Sequence, residues 1–307
     1  MKELSNAVRA CAKINLFLHV GNRRDDGFHP LQSLAVFPLT GDKLVADEAD
    51  DLSLQLEGPF APGLSDSDNL VLKAARALAE HAGRLPQGRL TLTKNLPVAS
   101  GIGGGSADAA AALRALASLW RLDLAEGTLC EIGAALGSDI PVCVPSQPSF
   151  MEGRGEILTP IPVLPRLPLL LANPGVAVPT KNVFAALSER HGVDMPLPRG
   201  RFSDLADLLR FLETTGNDLE APAIILQPVI GEVLKALKCL PGALFTRMSG
   251  SGATCFALMA DDDCCHRAAA LLKERHPDWW VEASFVPAAG IVPEGAGRDI
   301  GPTPDGL

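Results

Sequence analysis

Apolar and polar positions recur along this chain with two different periods, and the places where the period changes mark its elements. Residues 8–21 (VRACAKINLFLHVG) alternate at roughly every second position and predict one strand. A polar turn over 22–27 leads to Phe28-His29-Pro30, and residues 31–39 predict a second strand. Residues 42–56 alternate in a way that suits a strand hairpin. The period lengthens at 69–81, where Leu70, Ala74, Ala77 and Leu78 share one helical face. Residues 90–93 predict a strand, 106–120 an alanine-rich helix, and 128–136 another helix. Gly137-Ser138-Asp139-Ile140-Pro141 ends it: Pro141 has no N–H to give and biases Ile140 toward an extended backbone.

The four prolines of 159–168 make the best candidate for a domain boundary. Beyond them the pattern predicts a buried strand at 169–173, a helix capped by Thr180 and running to about residue 190, and a charged helical segment at 203–215. A helix at 221–240, a turn at 249–252, a strand at 253–259, a helix at 264–275 and a strand at 280–286 complete the series. The division that follows is a first domain at 1–162, a second at 163–290, and a Gly/Pro-rich, acidic tail at 291–307 expected to be disordered. Two separate halves with strands partly in meanders predict an α+β fold, not a doubly wound sheet. No internal repeat is visible.

Composition narrows the class of protein. The chain has 307 residues, 47% hydrophobic and 21% charged, as expected of a soluble globular enzyme. A net charge of −9 argues against nucleic acid or an anionic membrane as the main partner. The apolar run at 167–172 is far too short to cross a bilayer. The apolar N-terminal stretch is interrupted by Lys13 and Asn15, so it reads as a strand and not a signal peptide. Seven scattered cysteines without a C-x-x-C pattern point to reduced thiols and a cytoplasmic location. The adjacent Cys264 and Cys265 are expected as half-exposed thiols without a role.

Candidate chemistry concentrates at residues 96–108, LPVASGIGGGSAD, where Gly101, Gly103, Gly104 and Gly105 open the alanine-rich helix. Glycine lets a backbone approach a ligand closely. A helix start offers unpaired N–H groups and the positive end of a dipole, which together make an anion site. A Walker loop is excluded, because no lysine follows Gly105-Ser106-Ala107. A dinucleotide loop is a poor match, because Ser106 stands at the last position of its pattern and the loop lies far from the first strand–helix unit. A flexible linker is a poor match too, since a strand and a helix flank the loop. Ser106 is placed as N-cap of that helix, with Asp108 in its first turn.

A second glycine loop, Ser249-Gly250-Ser251-Gly252, reads either as a plain hairpin turn or as a further backbone clamp on a ligand. Lys13 sits between Ala12 and Ile14, where an unpaired ammonium is costly to bury. Either it lies on the solvent face of an edge strand, or it joins Asn15 on one face in a polar cluster. Asp139 follows a helix break in apolar surroundings. As a pair they offer a carboxylate that activates a hydroxyl and a lysine that holds that carboxylate ionised and oriented.

Ala12-Lys13-Ile14-Asn15-Leu16, residues 97–107 and residues 249–254 resemble the three motifs of the GHMP kinases (galactokinase, homoserine kinase, mevalonate kinase, phosphomevalonate kinase). RRDDGFHPLQSL, DNLVLKAA, GSDIPVC, EGRGEILTP and NPGVAVPTKNVF follow in register, so the resemblance covers residues 8–290. It implies an N-terminal domain like ribosomal protein S5 domain 2, a ferredoxin-like C-terminal domain, and a site between them. Asp139 would be the base and Lys13 its partner. Pro97, Ser100, Gly101, Gly103, Gly104, Gly105 and Ser106 would wrap the phosphates of ATP, with Asn69 and Lys94 near its adenine and ribose. Ser106 would also touch Mg²⁺. The same resemblance implies an acceptor made of methylerythritol linked to cytidine diphosphate, phosphorylated on its 2-hydroxyl as a step toward isoprenoid precursors. The alternative is another small alcohol such as homoserine or mevalonate. Phe28, His29 and Phe184 would hold the cytosine, the phenylalanines by stacking if they are not ordinary core. Asn15, Thr180, Gly250, Ser251 and Gly252 would lie near polar groups of the acceptor. Phe28 replaces the family's usual tyrosine, so a phenol hydrogen bond is lost while stacking survives. The expected partners are therefore a small-molecule substrate and at most a second copy of the chain, as a monomer or weak homodimer, with no nucleic acid and no membrane.

Overall fold

The stretch expected as a single strand at 8–21 is two strands that belong to different sheets. A computed structural model describes residues 7–289 except 26, 66–68, 189, 199 and 200, so the expected disordered tail at 291–307 lies outside the described residues. Strand β1 (Ala7–Cys11) ends at Ala12-Lys13, and β2 (Ile14–Val20) leaves in another direction. The Ala12 N–H donates to the Thr40 carbonyl and the Lys13 N–H to the Ile102 carbonyl, so the break is pinned to two other segments. Lys13 is therefore not on an edge-strand face: its side chain leaves from a gap between two sheets.

The first sheet has the order β1, β4 (Gly41–Asp47), β6 (Gly88–Thr93), β5 (Leu52–Glu57). Residues 42–56 do not form the expected hairpin. β6 inserts between β4 and β5, antiparallel to the first and parallel to the second. The alternation was genuine, but it reports a buried face and not the identity of the neighbouring strand. One face of this sheet packs on α1 (Leu70–His81) and α2 (Gly104–Leu119), and α3 (Glu126–Ala134) and α4 (Ile140–Cys143) pack behind those helices, with the alanines Ala107 and Ala109–Ala112 of α2 buried in the shared core. The buried residues of α1 are Val71, Leu72, Ala74, Ala75, Leu78 and Ala79, with Leu70 and Ala77 half-buried beside them.

The second sheet, β2, β3 (Leu31–Val36), β7 (Ser149–Glu152), β8 (Ile157–Pro160), is antiparallel throughout. The third runs β10 (Ala243–Met248), β11 (Cys255–Met259), β9 (Leu167–Asn173), β12 (Trp280–Val286), again antiparallel. Strands β7, β8 and β10 were not foreseen, because each is short or lacks clear alternation. β9 and β11 are covered on both faces. Leu170, Ala172, Cys255, Ala257 and Met259 pack under α5 (Thr180–Ala185), α7 (Glu220–Leu226), α8 (Val229–Lys238) and α9 (Asp262–Arg275). Leu169, Leu171, Phe256 and Leu258 meet Ile14, Phe17 and Leu34 of the second sheet and Leu208 and Leu212 of α6 (Leu205–Glu213). This shared apolar layer fixes the third sheet against β2, the strand that starts just after Lys13.

Local chemistry corrects several boundaries. α5 starts on Pro179, not on a Thr180 cap. The helix expected at 221–240 breaks at Gln227-Pro228 into α7 and α8, since Pro228 has no N–H to give. Pro141 lies in the first turn of α4, where its missing N–H costs nothing, so Ile140 is helical and not extended. Cys264 is half-buried as expected, whereas Cys265 is buried and its thiol is pushed up to about 11 by burial.

A second set of contacts ties β2 to the segment before α7. The Leu18 N–H donates to Gly216 O and the Asp218 N–H to Leu18 O, both at 2.9 Å. His19, 3% exposed, accepts from the Gly216 N–H at 3.0 Å through Nε2 and stacks on His191 at 4.6 Å. Burial first, and the stacked His191 next, lower the His19 pKa from 6.5 to about 4. Between those two values the unfolded chain binds a proton that the folded chain refuses, so stability falls as pH drops through that window. The expected loss is up to about 3 kcal/mol, read from urea unfolding at pH 7.5 and 4.5. His19→Gln should flatten most of it, and an unchanged slope would locate the acid sensitivity elsewhere.

Candidate active site

The glycine loop folds against the second glycine loop, not beside it. Gly101 has φ +74°, and a Cβ there would lie 2.6 Å from the backbone of Gly252 and Ser249. The Thr254 N–H donates to Ser100 O at 3.1 Å, and Ser249 Oγ donates to Gly101 O at 3.2 Å. Asn217 holds the other side through Nδ2 donating to Met248 O and Gly250 O at 2.8 and 2.9 Å. The turn at 249–252 is thus a clamp on the first loop as well as a turn.

Beyond Gly101 the chain passes Gly103, φ +65°, which is the true N-cap of α2. The expected cap, Ser106, is the third residue of the helix, and no side chain caps it. That leaves the first-turn N–H groups of α2 facing the space in front of the loop. The space is a cavity of about 1400 Å³.

Lys13 and Asp139 meet at its floor. Lys13 Nζ lies 2.9 Å from Asp139 Oδ1, with the lysine side chain 6% exposed and the aspartate 39%. Gly103 presses on the lysine: a Cβ there would be 3.2 Å from Lys13 Cβ. Asp139 is the N-cap residue of the four-residue α4. Ile140 fills the space over Gly133, where a Cβ would come within 2.6 Å of it. Arg114 of α2 donates to Cys143 O and Val144 O at 2.7 and 2.6 Å, which ties down the far end of α4. A half-open carboxylate is therefore held by a buried ammonium and a fixed helix start. Cys143 below them is inert, its thiol pushed up to about 12 by burial.

Of the other residues singled out in the sequence, Asn15, Phe28, His29, Asn69, Lys94, Pro97, Ser100, Gly101, Gly103, Gly104, Gly105, Ser106, Thr180, Phe184, Gly250 and Ser251 also border this cavity. Gly252 does not; it packs behind the loop against Met248. Asn15 donates through Nδ2 to Ser33 Oγ at 2.7 Å, and its own N–H donates to Ser249 Oγ at 3.1 Å. Thr180 and Ser251 share a hydroxyl hydrogen bond of 2.8 Å. Asn69 Oδ1 accepts from the Val71 N–H at 2.9 Å and so caps α1. Phe28 is 52% exposed, which excludes a core role, and His29 and Phe184 face each other with ring centroids 5.7 Å apart.

Two models of the GHMP kinases match, the N-terminal domain at residues 69–147 and the C-terminal domain at 196–273. A protein of Parvibaculum lavamentivorans named 4-diphosphocytidyl-2-C-methyl-D-erythritol kinase is 51% identical, over 90% of this chain and 96% of its own length. The chain belongs to the GHMP kinases. A Rhodospirillum rubrum protein of the same name is 50% identical over 89% of this chain and 90% of its own. The crystal structure of a 4-(cytidine 5'-diphospho)-2C-methyl-D-erythritol kinase superposes with a TM-score of 0.73 at 32% identity, covering 92% of this chain and 99% of that one. A homoserine kinase of Cytophaga hutchinsonii superposes at 0.64 with 18% identity, which shows the shared fold alone. This GHMP kinase is thus an α+β small-molecule kinase. Among the described residues no helix is long and apolar enough to cross a membrane.

The buried charge under the glycine loop of this GHMP kinase departs from the sequence-based expectation. Asp108 is not a first-turn dipole partner. It is 4% exposed and accepts from Lys94 Nζ at 2.6 Å. The Asp42 carboxylate takes the same ammonium and also accepts from the N–H groups of Asn95 and Leu96, at 2.5 and 2.8 Å. Burial opposes the Lys94 charge, but the two carboxylates outweigh it and its pKa is raised. Burial raises the Asp108 pKa, with Lys94 acting against it. Lys94 is thus committed to holding the entrance of the loop onto α2. The signal for Asp42 was its phase: it shares the buried face of β4 with Leu44 and Ala46. A carboxylate in step with core residues calls for a buried cation.

Proposed function

We propose that this GHMP kinase transfers the γ-phosphoryl group of ATP to the 2-hydroxyl of 4-diphosphocytidyl-2-C-methyl-D-erythritol, a step in making isoprenoid precursors. The observation that carries the reading is the placement of the Lys13–Asp139 pair. It sits at the foot of the glycine loop, in a cavity whose other wall presents exposed Phe28 and the His29–Phe184 ring pair. The loop N–H groups and the start of α2 receive the nucleotide phosphates, with Asn69 and Lys94 bordering the nucleoside end. Asp139 takes the proton of the acceptor hydroxyl as its oxygen bonds to the γ-phosphorus and the bond to the bridging oxygen of ADP breaks. Lys13 keeps the carboxylate pointed at that hydroxyl. Phe28 and Phe184 offer ring faces to a pyrimidine, and His29, whose Nδ1 lies 2.9 Å from Gly21 O, holds its other nitrogen toward the base edge.

Mg²⁺ takes few protein ligands when substrate phosphates supply the rest, so a single hydroxyl suffices at its site. Ser106, on the cavity wall in the first turn of α2, fits that requirement and would hold it, and it would neutralise charge on the transferring phosphoryl group. The test is a coupled assay of ADP release with the cytidine-linked alcohol, mevalonate and homoserine offered in turn. Turnover with the first at a kcat/KM at least ~10²-fold above the others is expected, because a site built around buried and convergent groups rejects what leaves them empty. A preference for mevalonate or homoserine would overturn the reading.

A further inference from the structure

The charges on the cavity wall do not cancel, and the surplus lies at one end. Lys13 is matched by Asp139 and Lys94 by Asp42 and Asp108. That leaves Arg23, Arg154 and Lys181 against Glu156 alone, in a chain whose net charge is −9. Two of the three cations are built onto the turn that carries Phe28. Arg23 Nε donates to Gly27 O at 2.9 Å, and the Arg154 guanidinium covers the Phe28 ring at 4.6 Å from its centroid. Arg154 stands on the tight turn between β7 and β8, where its own N–H donates to Glu156 Oε2 at 2.5 Å. That bond turns the Glu156 carboxylate to the backbone. Neither guanidinium has a carboxylate partner among the described residues.

Arginine presents a planar fork of donors that matches phosphate oxygens two at a time, and it stacks on aromatic faces without losing those donors. An arginine spread over an exposed ring with its N–H edge free is therefore prepared for an anion beside whatever stacks on that turn. The phosphates of the nucleotide have their own donors at the glycine loop, so this second set serves a different anion.

We infer that Arg23 and Arg154 form a phosphate clamp for the acceptor: they hold the diphosphate that joins the alcohol to its nucleoside, and they make the enzyme select phosphorylated acceptors over neutral ones. The inference rests on the reading of the acceptor as a nucleoside-diphosphate-linked alcohol. Arg154 is the member whose removal can be separated from stacking. Arg154→Met keeps an apolar cover on the Phe28 ring, since a thioether packs well on aromatic faces, and deletes only the charged fork.

The experiment measures inhibition by cytidine and by cytidine diphosphate in the wild type, Arg154→Met and Arg23→Ala, alongside KM for the cytidine-linked alcohol and for ATP. In the wild type the diphosphate should bind at least ~10-fold more tightly than the nucleoside, the ordinary worth of charge-assisted hydrogen bonds. In Arg154→Met that preference should collapse while cytidine binding holds, KM for the acceptor should rise about tenfold and KM for ATP should not move. Added salt should weaken diphosphate binding in the wild type and much less in the variant. A preference that survives in both variants overturns the clamp. Should the wild type refuse the cytidine-linked alcohol, the acceptor reading fails. The clamp is then judged on its own by whether inorganic pyrophosphate protects the wild type, and not Arg154→Met, against thermal unfolding.

Discussion

Asp139→Asn is expected to lower kcat by ~10²–10⁴-fold, the usual contribution of a positioned base. The amide has the size of the carboxylate, and its oxygen can still accept from Lys13 Nζ, now 2.9 Å away. What it lacks is the ability to take a proton. Nucleotide binding should hold, because the donors proposed for the phosphates are backbone groups of the loop and of α2. The pair of measurements is ADP release and calorimetric titration with a non-hydrolysable ATP analogue. Lys13→Met should also lower kcat, since the carboxylate then loses its anchor. The double variant should be little worse than Asp139→Asn alone, because the two side chains act as one unit. A kcat within threefold of the parent in Asp139→Asn would remove the residue from the role of base. It would leave an active kinase in which the pair serves only the fold and the acceptor proton goes elsewhere.

How much of this was legible in the sequence differs by residue, and for physical reasons. The glycine loop and its helix announce themselves, because a cluster of four glycines ahead of an alanine run has few structural uses. Lys13 was recognisable as a costly charge in an apolar run, but its context was read wrongly. Period-2 alternation continues across residues 12 and 13 even though the chain changes sheets there, and side-chain pattern carries no information about which sheet a strand joins. The same limit turned β4 and β5 into an expected hairpin, when β6, which follows 30 residues later, separates them. Asp108 was assigned from local helix rules, and the tertiary contact with Lys94 overrode them. Arg154 stands inside the motif EGRGEILTP, but nothing in the sequence gives it a role, and only the fold brings it over a ring 126 positions earlier in the chain.

The second large effect is expected from a single methyl group. Gly101→Ala should cost more than about 2 kcal/mol of stability and raise KM for ATP by at least ~10-fold. Two penalties act together. Gly101 has φ +74°, where a β-carbon is strained, and that carbon would sit 2.6 Å from Gly252 N, Gly252 O and Ser249 O. All three are backbone atoms, so no side-chain rotation relieves the clash. The second loop cannot retreat either, since Asn217 holds Gly250 O from behind and Thr254 is bonded to Ser100. The first loop must therefore move. It carries with it Gly103, which presses on Lys13, and the first turn of α2, so the proposed nucleotide cradle and the Lys13–Asp139 pair are disturbed by the same displacement. Gly127→Ala is the control. Nothing lies within 4 Å of its added carbon, and it stands in the first turn of α3, so the change should be neutral or stabilise by up to ~1 kcal/mol. Thermal unfolding and KM for ATP measured on both variants test the argument. Equal behaviour of the two would show that the loops are not locked together, and that the clamp formed by residues 249–252 has no part in shaping the nucleotide cradle.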